Sequence, residues 1–270
     1  MKDVLKGILE AVPGALNKTL VAREYLQARI LQALQDEGVF QRWAFVGGTA
    51  LRFLYSIPRF SEDLDFSLAD SGKDVNFSGA LKSIESLFRK EAYDISASPK
   101  GEKTVASAFI KFRGLLYEVG LSPHASEVFS IKIEVDTNPP SGAVLQTSLV
   151  RRHVTMNLLH YDKASLLAGK LHALFTRRYT KGRDLFDLIW YLADRSWPLP
   201  NFTLLNTALA QTGWTGPAVT AGNWRTLLIG RFDKFNWESA RVDVQQFLER
   251  PEDARLITRE NLESLVRPTG

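Results

Sequence analysis

The stretch WAFVGGTALRFLYSIPRFSEDLDFSL, at residues 43–68, contains the pattern that decides the fold. Its first four residues form a short apolar run, which predicts a buried strand. Gly47 and Gly48 close that run, and residues 49–55 then follow a helical pattern for which Thr49 is the predicted N-cap. The sequence therefore predicts a strand, a tight glycine turn and a helix in direct succession.

The end of the same stretch alternates between polar and apolar residues. Asp63, Asp65 and Ser67 share one face, whereas the intervening Leu64, Phe66 and Leu68 share the other. This period of two is typical of a half-buried strand, so we predict a strand over residues 63–68.

The glycine turn is a candidate phosphate site. A strand that passes through Gly47 and Gly48 into a helix directs backbone N–H groups outward at the helix start. These groups and the helix dipole favour a bound anion. The turn alone is weak support for this interpretation, since many strand-to-helix turns require glycine.

Asp63 and Asp65 are candidate metal ligands. Two carboxylates on one strand face can share a divalent cation, which relieves their mutual repulsion. Magnesium suits oxygen ligands and leaves positions open for phosphate oxygens. The competing interpretation is an exposed sheet face, where alternating acids are common. The position of Asp63, 14 residues after Thr49, favours the metal site because a short helix and a turn span that distance.

A third carboxylate is expected on a neighbouring strand if two metal ions act. Residues 131–136 alternate in the same way, with Glu134 and Asp136 on the polar face. Either acid could complete the set, and Glu134 is slightly favoured because it lies nearer the strand centre.

Lys170 lies on a predicted helix over residues 163–178, for which Asp162 is a suitable N-cap. It borders an apolar stripe that includes Leu167 and Leu174, so its stem is expected to be partly buried. A lysine in such a position either extends to water or neutralises a bound phosphate.

Asp184 falls in the first turn of the next predicted helix, which opens at Arg183. An acid in that position stabilises a helix without any further role. The functional interpretation makes Asp184 a polar partner of Lys170 or a group that acts near the incoming hydroxyl.

The remaining pattern divides the chain at about residue 160. Before it we predict helices over residues 1–10, 19–37 and 76–92, and strands around residues 104–113, 115–119 and 131–135. From Asp162 the pattern is helical to the C-terminus, apart from breaks at residues 197–200 and 213–222. The expectation is an α+β fold, with a mixed-sheet domain over residues 1–160 and a helical domain over residues 161–270.

The amino-acid composition excludes several classes of protein. The chain has no cysteine, which excludes disulfide scaffolds, zinc-thiolate sites and cysteine nucleophiles. Its four histidines form no His-x-x-x-His pair, so a zinc hydrolase has little support. No apolar run approaches the roughly 18 residues of a membrane span. The absence of cysteine fits the cytoplasmic location that we expect.

Basic residues are concentrated in one part of the sequence. Between residues 151 and 183 the sequence has eight basic residues and one acidic residue, which gives a net charge of +7, whereas the whole chain carries +4. Such a stretch is either a solvated helical face or a surface that attracts nucleic acid or a triphosphate. The eight residues are Arg151, Arg152, Lys163, Lys170, Arg177, Arg178, Lys181 and Arg183.

Four ordered motifs together resemble the AbiEii/AbiGii family of toxin nucleotidyltransferases, in the DNA polymerase β-like superfamily. The family includes toxins of type IV toxin–antitoxin systems. The resemblance spans roughly residues 40–195. The motifs are residues 47–52, residues 59–66, residues 131–136, and residues 170–174 with 183–188.

The resemblance implies a polymerase β-like nucleotidyltransferase core, a C-terminal helical bundle and an active site between them. It implies Mg²⁺ on Asp63 and Asp65, with Glu134 or Asp136 as the third ligand. Asp184 would be the family's essential aspartate and a candidate base. The implied nucleotide-binding residues are Gly47, Gly48, Thr49, Arg59, Ser61 and Lys170.

The expected reaction transfers a nucleoside monophosphate from an NTP to RNA, as some relatives do at the 3′ end of tRNA to inhibit translation and growth. An antitoxin partner is also expected. Two other functions stay open, namely nucleotide transfer to a small molecule and a non-catalytic module that binds nucleic acid or regulates. Glu134 stands where many relatives have aspartate, and residues 201–270 match no motif.

Overall fold

The structure is a computed structural model that describes residues 2–70, 75–100 and 104–267. The chain divides into two compact units. The first unit comprises Met1–Leu54, Phe60–Asn138 and Thr147–His160. The second unit comprises Tyr55–Arg59, Pro139–Gln146 and Tyr161–Gly270. Two short segments from the first 160 residues therefore belong to the same unit as the C-terminal helices.

Helices and strands are interspersed in the first 161 residues, and only helices follow. The strands are β1 (Trp43–Val46), β2 (Leu64–Leu68), β3 (Ile95–Lys100), β4 (Val105–Arg113), β5 (Val128–Asp136), β6 (Leu145–Arg152) and β7 (Val154–Tyr161). The helices are α1 (Lys2–Glu10), α2 (Ala15–Asp36), α3 (Gly47–Tyr55), α4 (Phe77–Lys90), α5 (Leu115–Glu118), α6 (Lys163–Thr176), α7 (Gly182–Ala193), α8 (Phe202–Gln211), α9 (Trp224–Ile229), α10 (Trp237–Gln245) and α11 (Arg259–Val266). Short 3-10 helices span Val39–Gln41, Phe232–Lys234 and Pro251–Leu256.

The seven strands form one mixed sheet in the order β3-β4-β5-β2-β1-β7-β6. β2 pairs antiparallel with β1 and parallel with β5. β1 also pairs parallel with β7, and β4 pairs antiparallel with β3 and β5. The mixed sheet and the C-terminal helices confirm the predicted α+β fold class.

Apolar packing holds β1 and β2 at the centre of the sheet. Phe45 and Phe66 are opposite each other in the β1–β2 register and stack with ring centroids 5.3 Å apart. Trp43 is also buried and packs against Phe66 at 5.5 Å. Aromatic pairs across neighbouring strands stabilise a sheet beyond the area they bury. The strand predictions at residues 43–46 and 63–68 are confirmed, although β2 begins at Leu64.

Several local predictions were wrong. Residues 115–119 were predicted as a strand, but Leu115–Glu118 form the short helix α5. The strands β3, β6 and β7 were not predicted. Most residues of β6 are exposed or half-buried, so its sequence lacks the alternation that marks a strand with one face in the core.

The second unit is built around two helices, α6 and α7. Asp162 caps α6 by accepting a hydrogen bond from the backbone N–H of Ser165 at 2.8 Å, as predicted. α6 packs against α7 and α8, and α7 packs against α10. The Tyr191 hydroxyl on α7 donates to the carbonyl of Lys163, which joins the two central helices. The predicted breaks near residues 197–200 and 213–222 are confirmed.

None of the helices that the structure describes is both long enough and apolar enough to span a membrane.

Candidate active site

The glycine turn between β1 and α3 brings the start of a helix against a carboxylate. Gly47 has a φ of 77°, and a Cβ atom built on it would lie 2.5 Å from Oδ2 of Asp65. Only glycine combines this backbone conformation with so close an approach. Asp65 is also the register partner of Val46, the last residue of β1. The carboxylate of Asp65 is therefore held beside the first turn of α3.

We expect Gly47→Ala to destabilise the protein by about 1–3 kcal/mol, because the new methyl group meets Asp65 and the residue must keep a positive φ. We also expect it to displace the Asp65 carboxylate. Chemical denaturation measures the stability loss. Gly7→Ala is the matched control, since a Cβ at Gly7 on α1 has no neighbour within 4 Å. A Gly47→Ala protein as stable as Gly7→Ala would contradict the proposed close packing.

Thr49 has a different role from the predicted cap. α3 begins at Gly47, two residues earlier than expected, so Thr49 lies inside the first turn. Its side chain is fully buried and its hydroxyl donates to the backbone carbonyl of Asp63. The hydroxyl therefore fixes the segment before β2. The backbone N–H groups of Gly47, Gly48 and Thr49 still belong to a first helical turn, where such groups lack partners within the helix.

A buried glutamine on α2, which was not among the predicted site residues, holds the same segment. The side-chain amide of Gln27 donates to the carbonyls of Ser61 at 3.1 Å and Glu62 at 2.9 Å. Together with Thr49, it fixes three successive carbonyls ahead of β2. Ser61 is a predicted nucleotide-binding residue, and the hydrogen bond from Gln27 holds its backbone in place. These contacts position Asp63 and Asp65 relative to the glycine turn.

The register between β2 and β5 distinguishes the two candidates for a third carboxylate. Asp65 is directly opposite Glu134, whereas Asp136 is opposite Ser67, two positions further along. In a parallel pair, opposite residues point to the same face. Glu134 is therefore the acid nearest Asp65 in the register. Within the residues described, no three histidine, aspartate or glutamate side chains converge closely enough to hold a metal ion.

Lys132 supplies a positive charge next to these acids. Its ammonium lies 2.6 Å from Oε1 of Glu134. This hydrogen bond, together with the negative charges of Asp63 and Asp65, raises the pKa of Lys132. The lysine is therefore a fixed counter-charge for the carboxylates of the first unit.

The second unit holds a separate group of charged residues, which we call the Arg59 cluster. Its centre is Asp187, which is fully buried. Arg59, 1% exposed, donates to both carboxylate oxygens of Asp187, at 2.5 Å from Nε and 2.6 Å from Nη2. Lys170 lies 2.6 Å from the same carboxylate. Burial by itself would raise the pKa of Asp187, but Arg59 and Lys170 hold it below its usual value. The members are Arg59, Lys170, Arg177, Asp184 and Asp187.

Asp184 completes the cluster. It accepts a hydrogen bond from Lys170 at 3.1 Å and another from Arg177. This confirms the expectation that Asp184 is a polar partner of Lys170. The cluster contains three cations and two carboxylates and so retains one net positive charge. Two cations of the cluster contact Asp187, and Lys170 is the more accessible of them, with a side chain that is 13% exposed.

Arg59 was predicted to bind nucleotide. In this conformation its guanidinium is enclosed and binds Asp187 in a bidentate manner, the arrangement in which arginine holds a carboxylate most firmly. Direct contact with a nucleotide would need a different conformation. Asp187 was not among the predicted site residues, although Asp184 and Asp187 are three residues apart and share a helical face.

The fold of this chain is that of a nucleotidyltransferase. MenT4, the nucleotidyltransferase toxin Rv2826c from Mycobacterium tuberculosis H37Rv, is 16% identical with a TM-score of 0.51 over 99% of both chains. JHP933 from Helicobacter pylori is 19% identical with a TM-score of 0.50, over 92% of this chain and 90% of the other. A further structure from H. pylori, described as a nucleotidyltransferase, is 18% identical with a TM-score of 0.51, over 91% of this chain and 92% of the other.

The sequence defines the family. The model of the family described as "Nucleotidyl transferase AbiEii toxin, Type IV TA system" matches residues 29–264. The chain therefore belongs to the AbiEii family and is a nucleotidyltransferase of the toxin type. Curated protein sequences gave no significant match.

Proposed function

We propose that the protein transfers a nucleoside monophosphate from an NTP to an RNA acceptor in a Mg²⁺-dependent reaction, with tRNA 3′ ends as the favoured acceptor. The proposal is carried by one observation, the Asp65 carboxylate held against the first turn of α3 with Glu134 opposite it. Phosphate groups bind at helix starts and hard cations bind carboxylates, so the arrangement suits a metal–triphosphate complex.

The donor set fits magnesium. Asp63, Asp65 and Glu134 offer only carboxylate oxygens, which is the ligand type that Mg²⁺ prefers. Asp63 and Asp65 would hold the metal, with Glu134 as the third ligand rather than Asp136. When bound, Mg²⁺ would reduce the negative charge on the phosphate oxygens and favour attack at phosphorus.

The residues of the first unit would orient the triphosphate. The backbone N–H groups of Gly47, Gly48 and Thr49 would donate to its oxygens, and the absence of a side chain at Gly47 keeps the approach open. An acceptor hydroxyl then attacks the α-phosphorus. A new P–O bond forms, the bond to the bridging oxygen breaks with its electron pair, and pyrophosphate leaves. The hydroxyl proton passes to water.

For the second unit we propose that Lys170 contacts nucleotide phosphates and that Asp184 positions it. The Asp184 carboxylate already accepts hydrogen bonds from Lys170 and Arg177, so both of its oxygens are engaged with cations. We propose that Arg59 acts through Asp187, as a positioning residue for Lys170. The toxic effect would follow from RNA modification that stops translation and growth in the cytoplasm, and a cognate antitoxin would relieve it.

A transfer assay with each of the four α-labelled NTPs and total RNA tests this function. We expect one NTP to label RNA of tRNA size, and chelation of divalent cations to stop the labelling. Label in small molecules alone would support an antibiotic-modifying type of transferase. RNA binding without any transfer, unchanged by substitution of Asp63 and Asp65, would identify a non-catalytic module.

Lys132 allows a test of the metal site that does not depend on turnover. We expect Lys132→Met to lower the Kd for Mn²⁺, used as a probe for Mg²⁺, by about fivefold, because it removes a positive charge beside Asp63, Asp65 and Glu134. Calorimetric titration in the absence of nucleotide measures the change. Lys111→Met is the control, since β4 places this lysine opposite Ser130 and away from the acids. Equal or weaker binding by Lys132→Met would contradict the metal assignment.

A further inference from the structure

We propose that a basic cavity in the second unit binds the phosphodiester backbone of the RNA acceptor and that an exposed tyrosine at its edge supports a base. The inference deepens the proposed function and rests on RNA being the acceptor. The cavity has a volume of about 340 Å³ and is formed by the end of α6, the loop that leads to α7, and the residues around the Phe232–Lys234 helix. Its charged lining residues are Arg177, Arg178, Lys181, Arg231, Lys234 and Asp184.

The charge of the cavity is strongly unbalanced. Five cations and one carboxylate line it, and that carboxylate, Asp184, already pairs with Lys170 and Arg177. In the part of the chain that the structure describes, Arg178, Lys181, Arg231 and Lys234 form no ion pair with a carboxylate. A cavity with several uncompensated cations attracts a polyanion and holds it in a salt-dependent manner.

Arg231 lines the same cavity, and its guanidinium is a group of the kind that binds phosphate oxygens best. Its Nε atom is closed off from solvent and has no hydrogen-bond partner among the described residues, so a phosphate would contact the other N–H groups of this guanidinium.

Aromatic side chains lie beside these cations. The Tyr179 side chain is 65% exposed although it belongs to the cavity lining, and the ammonium of Lys181 lies 5.9 Å from its ring centroid. Phe235 lines the cavity as well. Proteins that bind single-stranded RNA combine cations for the backbone with aromatic rings on which bases stack.

The lining favours RNA over an NTP. A triphosphate is used as its magnesium complex, which needs free carboxylate or carbonyl oxygens in the site. The single acid of the cavity is occupied by two cations. A phosphodiester carries one charge per group and needs no metal ion, so separate cations around an open cavity suit it well.

The test measures binding of a fluorescent single-stranded RNA by anisotropy, with EDTA and without NTP. Arg178 and Lys234 are exposed, so Arg178→Gln combined with Lys234→Gln is expected to fold normally. At about 0.1 M salt we expect the double variant to raise the Kd about tenfold, and to reduce the slope of log K against log salt by about 1.4. Tyr179→Ser is expected to weaken binding with the slope unchanged, because stacking releases no counterions.

Arg255→Gln is the matched control, because Arg255 is an exposed arginine of the same unit outside the cavity, and it should bind RNA as the wild type does. Asp65→Asn should also bind RNA normally, which separates this inference from transfer itself. RNA bound equally well by the wild type and the double variant would overturn the proposal. The proposal would also be overturned if Mg²⁺–NTP displaces RNA from the wild type and Arg178→Gln and Lys234→Gln abolish this displacement. That result would identify the cavity as a nucleotide site.

Discussion

Asp65→Asn is expected to reduce nucleotidyl transfer by at least about a thousandfold while the protein stays folded. The substitution keeps the shape of the side chain beside Gly47 but removes the negative charge that a divalent cation requires. Loss of one group that stabilises charge in a transition state costs about a hundred- to a thousandfold, and loss of a metal ligand costs at least as much. The measurement is the initial rate of RNA labelling by the preferred α-labelled NTP.

Two further substitutions make this result specific. Glu134→Gln is expected to reduce the rate strongly, because Glu134 is opposite Asp65 in the register of β2 and β5. Asp136→Asn on the same strand is expected to leave the rate within a few-fold of the wild type, because it lies opposite Ser67. Full activity of Asp65→Asn, or a loss in Asp136→Asn equal to that in Glu134→Gln, would contradict the assignment of ligands.

The second large effect concerns stability. Asp187→Ala is expected to lower the free energy of unfolding by about 3–5 kcal/mol, because it leaves Arg59 and Lys170 without the buried carboxylate that both contact. Denaturant unfolding at neutral pH measures this loss. Glu238→Ala is the control, since Glu238 forms an ion pair with Arg241 but is 73% exposed. Such a surface pair contributes only about 0–1 kcal/mol.

The stability difference between the wild type and Asp187→Ala is also expected to depend on pH. The pKa of Asp187 is lower in the folded protein than its usual value, so its charge stabilises the fold above the unfolded pKa of about 3.9. This contribution is lost as the pH falls through the lower, folded pKa. The stability difference between the wild type and Asp187→Ala should therefore be constant from neutral pH to about pH 4 and shrink only below that. A difference that disappears between pH 7 and pH 5 would show that Asp187 does not carry the buried charge.

The centre of the fold could be predicted because its signals are local. The apolar run at residues 43–46 and the alternation at residues 63–68 are short patterns that direct packing fixes as β1 and β2. The prediction of a strand at residues 115–119 was wrong because a helix of four residues is too short to show a helical period. The exposed strand β6 offered no alternation to detect.

Some residues of the candidate site could likewise be predicted from local patterns, and others could not. Asp63 and Asp65 are marked by their spacing, and Asp162 by the helix that it caps. The pairing of Arg59 with Asp187 joins residues 128 positions apart, and no local pattern encodes such a contact. The role of Gln27 could not be predicted for the same reason, since the carbonyls that accept its hydrogen bonds lie 34 and 35 residues away. Long-range polar contacts become visible only when the fold is known.

The most direct test of the central claim follows the label from two positions of the NTP. Reactions with the preferred NTP, labelled at the α-phosphate or the γ-phosphate, are run on the same RNA with the wild type and Asp65→Asn. We predict that RNA acquires label from the α-position only, that labelled pyrophosphate appears from the γ-position, and that Asp65→Asn yields neither. Transfer of the γ-label to RNA, or α-labelling that persists in Asp65→Asn, would contradict nucleotidyl transfer that depends on Asp65.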